Sequence, residues 1–335
     1  MSHVSAQTTI GFAGLPADYA IPERAPSLDE AQRYCERLAA GHYENFSVAT
    51  WFLPARLKQH FFNLYAYCRI SDDLGDEVAD KSEALRLLDE WENELNATYV
   101  SLADEVAAGD GHGGVEEFHS AVTRSQPGGP RHPVFVALRE TIRQLAIPKQ
   151  PFADLLVAFR SDQHNSRYET FDLVLGYCRY SANPVGRLVL YLCGYRDAER
   201  QQLSDYTCTA LQLANFWQDV ARDWEKGRIY LPLEDLRRFG VTEDDIAQRR
   251  ATPQFLAMMK FEVARAREWF ERGLPLASKV DRELATDIEL FTRGGQAILE
   301  AIERQGYDVL KQRPVISKPR KLALVLRAGA RKLFA

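Results

Sequence analysis

Apolar residues recur at helical spacing along almost the whole chain, and runs of alternating β-branched residues are almost absent. Leu57, Phe61, Leu64, Tyr65 and Cys68 illustrate the pattern: positions three and four apart share one face of a helix. This periodicity restricts the chain to an all-α fold. Local signals place the helix ends. Ser27-Leu28-Asp29-Glu30 is a capping-box pattern that predicts a helix from Ser27 to about residue 40. Pro54 suits a first helical turn, and the helix after it runs to about Glu77. Ser82 is expected to cap the next, which ends near residue 108. Helices follow at about 131–146, 151–165 and 170–193, the last bent at Pro184, where the missing N–H breaks the ladder. A long helix over about 197–225 is stopped by Gly227, and GRIYLP reads as an extended crossing segment. Shorter helices at about 232–238 and 242–249 precede long ones at about 252–273 and 280–304. Residues 1–26 read as a loose arm, and Gly109–Pro130, with six glycines and two prolines, as a flexible insertion. The expectation is one domain over 27–310, with a basic helix over 311–335 packed on it or appended to it.

The helical scaffold carries two dense acidic patches. YAYCRISDDLGDE (65–77) places Asp72, Asp73, Asp76 and Glu77 together, and QLANFWQDVARDWEKGRIYLP (212–232) echoes it with Asp219 and Asp223. Asp72/Asp76 and Asp219/Asp223 are each four apart, which puts their Cβ atoms about 5–6 Å from one another on one helix face. Asn215 lies one turn before Asp219. A solvated acidic face is the ordinary explanation of such clusters. Two physical costs weigh against it. Like charges at that spacing destabilise a helix by about 0.2–0.5 kcal/mol per pair, and the dipole at a helix C-terminus disfavours anions by about 0.3–1 kcal/mol. A bound cation reverses both signs. Hard oxygen donors in pairs suit Mg²⁺, which takes one or two carboxylates together with substrate phosphate and water. Phe46, Tyr65, Tyr67, Phe216 and Trp217 add aromatic surface beside the acids. An apolar pocket with an acidic mouth would accept a long hydrophobic molecule with an anionic head.

Composition removes other classes. A net charge of −5 in 335 residues argues against a nucleic-acid partner. That charge divides into eight Lys and Arg with no acid over 311–335, and −13 on the remainder. The basic end, with Leu322, Val325, Leu326 and Leu333 on one face, has two readings: a packed terminal helix, or peripheral contact with an anionic membrane. Cys35, Cys68, Cys178, Cys193 and Cys208 are scattered with no CxxC, which predicts free thiols in a reducing compartment. Neither a signal peptide nor an apolar run of the roughly 20 residues that a membrane span needs is expected. The predicted location is cytoplasmic, with the inner membrane face as a possible station. Oligomeric state is not encoded in any feature of this kind.

The two acidic motifs, together with RYETFDLVLGYCRYSANPVG (167–186), resemble the squalene/phytoene synthase family over roughly residues 30–310. The resemblance implies an isoprenoid-synthase helical bundle with a central cavity between two Asp-rich helices. It implies that Asp72, Asp76, Asp219 and Asp223 bind Mg²⁺ against a prenyl diphosphate. Asp73 and Asn215 would assist, Arg69 and Arg228 would meet phosphate oxygens, and Phe46, Gln212 and Tyr230 would contact substrate. Tyr65 and Tyr177 would line the reaction chamber. Within the family, HYENFSVA, YCRYSANPVGRL and NFWQDVARDW are most similar to the branch of bacterial hopanoid biosynthesis that converts presqualene diphosphate to hydroxysqualene. Where squalene and phytoene synthases carry Ser-x-Ser-Phe, this chain reads His42-Tyr43-Glu44-Asn45-Phe46. Their Ala-Gly-x-Val-Gly turn reads Ala182-Asn183-Pro184-Val185-Gly186.

The expected reaction is ionisation of the diphosphate, rearrangement of the cation, and quenching by a water held by Asn183, Tyr177 or Arg179. No NADPH is expected. The alternatives are a sister enzyme that condenses two prenyl diphosphates head to head to squalene, dehydrosqualene, phytoene or presqualene diphosphate, and a non-catalytic assembly protein of the same fold.

Overall fold

The structure is a computed structural model that describes residues 10–41, 54–109, 129–321 and 323–324. The Gly- and Pro-rich stretch over 110–128, and residues 322 and 325–335 of the basic tail, lie outside the described residues. The chain forms two compact units, one within Met1–Glu44 and Lys58–Gln163, the other within Asn45–Leu57 and His164–Ala335.

The first unit begins with strands β1 (Ile10–Phe12) and β2 (Leu15–Pro16), paired antiparallel through a two-residue turn. Ala13 and Gly14 both have positive φ, the geometry a tight hairpin demands. A 3₁₀ turn over Ala17–Tyr19 then buries Tyr19. The described part of the arm expected to be loose is therefore folded from Ile10 onward.

Helix α1 (Leu28–Gly41) starts where its capping box predicts. The Ser27 hydroxyl accepts from the Glu30 N–H, and the Ser27 N–H donates to the Glu30 carboxylate at 2.9 Å. Helix α2 (Ala55–Asp76) follows, then α3 (Lys81–Gly109), α4 (Pro133–Leu145) and α5 (Gln150–Asp162). The cap of α3 is Asp80, not the expected Ser82: its carboxylate accepts from the Glu83 N–H at 2.8 Å. A carboxylate at that position also favours the helix dipole.

Tyr67 of α2 is wholly buried, stacked on Trp91 of α3 and edge-on to Phe135 and Phe152. Its hydroxyl donates to the Phe152 carbonyl at 2.8 Å. The Trp91 indole donates to Ser71 at 2.8 Å. Apolar burial and a satisfied polar edge thus fix the rotation of α2 about its axis, so the Asp72 stripe is turned away from this core.

The second unit is built on the long helix α8 (Ala198–Glu225). Around it pack α6 (Phe171–Ser181), α7 (Asn183–Leu192), α10 (Glu243–Ala247), α11 (Pro253–Gly273) and α12 (Arg282–Arg304), while the short α9 (Leu233–Phe239) packs on α11. The single bent helix expected over 170–193 is two helices. Pro184 enters the first turn of α7, and the chain breaks at Ala182, with φ −114°. Asp197, Thr242, Thr252 and Asp281 cap α8, α10, α11 and α12 with their side chains. Gly273 lets α11 approach α8 closely; a Cβ there would lie 2.3 Å from the Thr207 hydroxyl. After α12, Val309 and Leu310 return into the core, each 1% exposed.

Candidate functional site

On α2, Tyr65, Arg69, Asp72, Asp73 and Asp76 form one stripe at helical spacing. Their environments differ sharply. Asp72 has 53% of its side chain exposed, whereas Asp73 has 7%. Asp73 accepts from the Tyr19 hydroxyl at 2.7 Å and from Arg69 Nε at 2.9 Å, with a second contact from the same guanidinium. Arg69 reaches Asp72 only at 4.0 Å. Burial works against the Arg69 charge, but Asp73 outweighs it and holds the guanidinium above its ordinary value. Burial, and then the bond to Asp73, also raise Tyr19 well above the normal phenol range. The pair Arg69–Asp73 is thus a fixed support, and Asp72 with the half-buried Asp76 presents the accessible carboxylates. Tyr65 is buried, 9% exposed, and burial raises its hydroxyl. Gly75 seats the end of the helix against Phe159, and the Gln163 amide donates to the Gly75 carbonyl at 2.6 Å.

On α8, Gln212 is half-buried, Asn215 exposed, and Asp219 and Asp223 half-buried. The helix ends in a Schellman motif. Gly227 takes φ +78°, its N–H donates to the Trp224 carbonyl, and the Arg228 N–H donates to the Asp223 carbonyl at 2.8 Å. This turn brings Arg228 back over the helix end, where a cation is favoured.

The GRIYLP segment crosses as expected. Arg167 and Ile229 form a parallel bridge, and the N–H groups of Ile229 and Leu233 donate to the Ser166 and Tyr168 carbonyls, each at 2.9 Å. That pairing fixes a cluster of four rings. Tyr230 stacks on Phe216 with centroids 3.9 Å apart and planes 8° apart, and on Tyr168 at 5.6 Å. Tyr177 completes the cluster, 5.5 Å from Tyr230 and 6.0 Å from Phe216. Phe216 lies one turn before Asp219, so the rings adjoin the carboxylate pair.

Asn183 is buried at the α6–α7 break, and its amide oxygen accepts from the Thr209 hydroxyl at 3.0 Å. It lines a cleft of about 280 Å³ that also includes Arg179, Arg187 and Asp205. Phe46 lies outside the described residues.

Three contributors to these sites were given no role by the sequence. Tyr19 reaches Asp73 from 54 residues away. Tyr168 joins the ring cluster through strand-like pairing, for which an aromatic beside an extended segment is the only local hint. Arg313, near the start of the basic tail that follows α12, forks onto Asp219 with bonds of 2.5 and 2.7 Å.

The donor chemistry suits a hard divalent cation. Each helix offers two carboxylates one turn apart, all oxygen, with no thiolate or imidazole in the set. Among the described residues no group of three or more His, Cys, Asp or Glu is placed to hold a metal. Such sparse sets fit Mg²⁺, which keeps water and takes phosphate oxygens as further ligands.

A family model described as squalene/phytoene synthase matches residues 39–320. The 15-cis-phytoene synthase of a Synechocystis species is 29% identical over 311 residues, which span 88% of this chain and 83% of that protein. The crystal structure of squalene synthase HpnC from Alicyclobacillus acidocaldarius is 44% identical, covers 84% of this chain and 95% of its own, and superposes with a TM-score of 0.72. A dehydrosqualene synthase solved with a ligand, 24% identical, shares the fold at a TM-score of 0.74 over 92% of this chain and 98% of its own. With its all-α architecture and its two Asp-bearing helices, the chain belongs to the squalene/phytoene synthase family.

Proposed function

We propose that this protein ionises presqualene diphosphate and traps the rearranged cation with water, releasing hydroxysqualene and diphosphate. The observation that carries the reading is the wall of Tyr168, Tyr177, Phe216 and Tyr230 beside the α8 carboxylates. Ring faces stabilise a cation by about 0.5–2 kcal/mol each, and they stand next to groups suited to gather the charge of the departing diphosphate.

Asp72 and Asp76 on α2, and Asp219 and Asp223 on α8, are the residues that would hold Mg²⁺. When bound, the metal neutralises charge that develops on the leaving diphosphate. Arg228 donates to phosphate oxygens as a charge-assisted donor. Arg69 stays on Asp73 and steadies the α2 stripe, with Asn215 and Gln212 as polar contacts along α8. Tyr65 on α2 and Tyr177 on α6 are the residues that would keep bulk water from the cation, since early quenching diverts it. The terminating water is assigned to the Tyr177 hydroxyl, because the Asn183 oxygen is already committed to Thr209.

The 44% identical neighbour is named a squalene synthase, which favours a squalene over a phytoene skeleton. The reading competes with head-to-head condensation of two prenyl diphosphates, which the phytoene synthases among the relatives support. The decisive experiment incubates the purified protein and Mg²⁺ with farnesyl, geranylgeranyl or presqualene diphosphate, with and without NADPH, and identifies products by mass. Hydroxysqualene from presqualene diphosphate, indifferent to NADPH, is expected. Asp72→Ala and Asp219→Ala should each abolish turnover while the far-UV spectrum stays helical. Turnover of farnesyl or geranylgeranyl diphosphate alone would replace this reading with the condensing one.

A further inference from the structure

Asp219 is not an open carboxylate. Arg313 Nε bonds one of its oxygens at 2.5 Å, and a terminal nitrogen of the same guanidinium bonds the other at 2.7 Å. That terminal nitrogen also donates to the Gln218 side-chain oxygen at 3.0 Å, while the Gln218 amide nitrogen donates to the Pro314 carbonyl at 2.5 Å. Two neighbouring residues of α8 therefore grip two neighbouring residues of the segment that follows α12. The segment is anchored before this point, because Val309 and Leu310 are buried and Asp308 accepts from the N–H groups of Leu310 and Lys311. Beyond it, Arg320 pairs with Glu300. Among the described basic residues of the tail, Arg313 and Arg320 are thus engaged with acids of the protein.

A guanidinium fork on a carboxylate uses the lone pairs that a divalent cation would use. The two cations also repel, and this repulsion is strong at contact distances in partly buried surroundings. We propose that Arg313 is a positioning residue that latches Asp219, and that metal loading at Asp219 must release or share this latch, so that the 305–316 segment loosens as the site fills. The proposal rests on the reading of Asp219 as a metal-binding carboxylate. It adds that the segment after α12 senses occupancy of the site. Gln218 extends the consequence, because its hold on Pro314 and its bond to Arg313 weaken together.

The test needs no turnover. Mn²⁺ with inorganic diphosphate is titrated into the full chain by calorimetry, and amide exchange over 305–316 is followed by mass spectrometry at each stage. In the wild-type protein, Mn²⁺ binding should accelerate exchange across this segment. Arg313→Gln should bind Mn²⁺ about fivefold to tenfold more tightly, the loss of a charge-assisted pair, and its segment should exchange fast before metal is added. Arg313→Lys keeps the charge but not the fork. It should show intermediate affinity and a segment that already exchanges fast, and it serves where the glutamine variant folds poorly. Wild-type Mn²⁺ binding with unchanged exchange over 305–316 overturns the latch and leaves the metal reading intact. Absence of any Mn²⁺ binding in the wild type, with diphosphate present, overturns both.

Discussion

Asn183 and Tyr177 separate two demands that a single residue rarely meets, a satisfied buried amide and a side chain placed to handle water. Asn183 is 8% exposed, and its oxygen is the acceptor for Thr209, itself 2% exposed. Truncation at Asn183 would leave a buried hydroxyl without its acceptor, at a cost of about 1–3 kcal/mol. Tyr177 instead stands in the ring cluster, half-buried, with Tyr230 and Phe216 around it. Asn183→Ala is therefore expected to lower the melting temperature and leave the product composition unchanged. Tyr177→Phe keeps the ring and removes the hydroxyl, so the fold should hold while the product shifts from alcohol towards hydrocarbon. Thermal denaturation and product analysis of the two variants check the assignment. The reverse pattern, a changed product at an unchanged melting temperature for Asn183→Ala, would return the water to Asn183.

The C-terminal end of α8 is where an element, more than a residue, sets the chemistry. Two acids sit near a negative dipole end, and the Schellman turn at Gly227 lays Arg228 over it. An L-residue at φ +78° is strained by roughly 1–2 kcal/mol, so Gly227→Ala should cost about that much stability. It should also displace Arg228 and raise KM for the diphosphate substrate more than it lowers kcat. Equal KM in the variant and the parent would separate Arg228 from phosphate binding. Turns and caps of this kind are legible in sequence because their partners are three to five residues away. Ser27 announces a helix start in that way, as Gly227 announces a stop and Pro184 a bend that the structure turns into a break. The one cap misread, Ser82 for Asp80, is a choice between two local candidates. What sequence could not show is which acid of a cluster is accessible. Asp72 and Asp73 are neighbours, and their different environments depend on Tyr19, which arrives from an arm without helical periodicity. The Asp219 fork comes from 94 residues further along the chain. Contacts of that range have no local pattern to betray them.

At the scale of the whole molecule, stability between neutral and mildly alkaline pH is expected to depend on one carboxyl outside the acidic motifs. Glu262 of α11 is fully buried, and Asp235 of α9 is 3% exposed. Arg265, stacked between Phe171 and Phe261, bonds Asp235 at 2.9 Å and Glu262 at 3.3 Å. One guanidinium serves two acids. Burial pushes Glu262 up to about 8, Arg265 opposes this, and Asp235 adds to it. The folded state thus binds this proton more tightly than the unfolded chain, whose carboxyl titrates near 4.5. The stability gained is complete below about pH 4.5 and is lost as pH rises through about 8. His132 has the opposite sign. Burial pushes it down to about 3, so its contribution is lost as pH falls from about 6.5 towards 3. Above pH 6.5 the His132 slope has gone and the Glu262 slope remains. One proton over 1.5 pH units bounds the loss between pH 6.5 and 8 at about 2 kcal/mol. The melting temperature of the wild type should fall by a few degrees across this interval. Glu262→Gln keeps the shape and a hydrogen-bonding head but cannot titrate, so its melting temperature should stay level. Parallel curves for the two proteins would mean that Arg265 holds Glu262 ionised throughout, and that the charge of one guanidinium outweighs the burial of two acids.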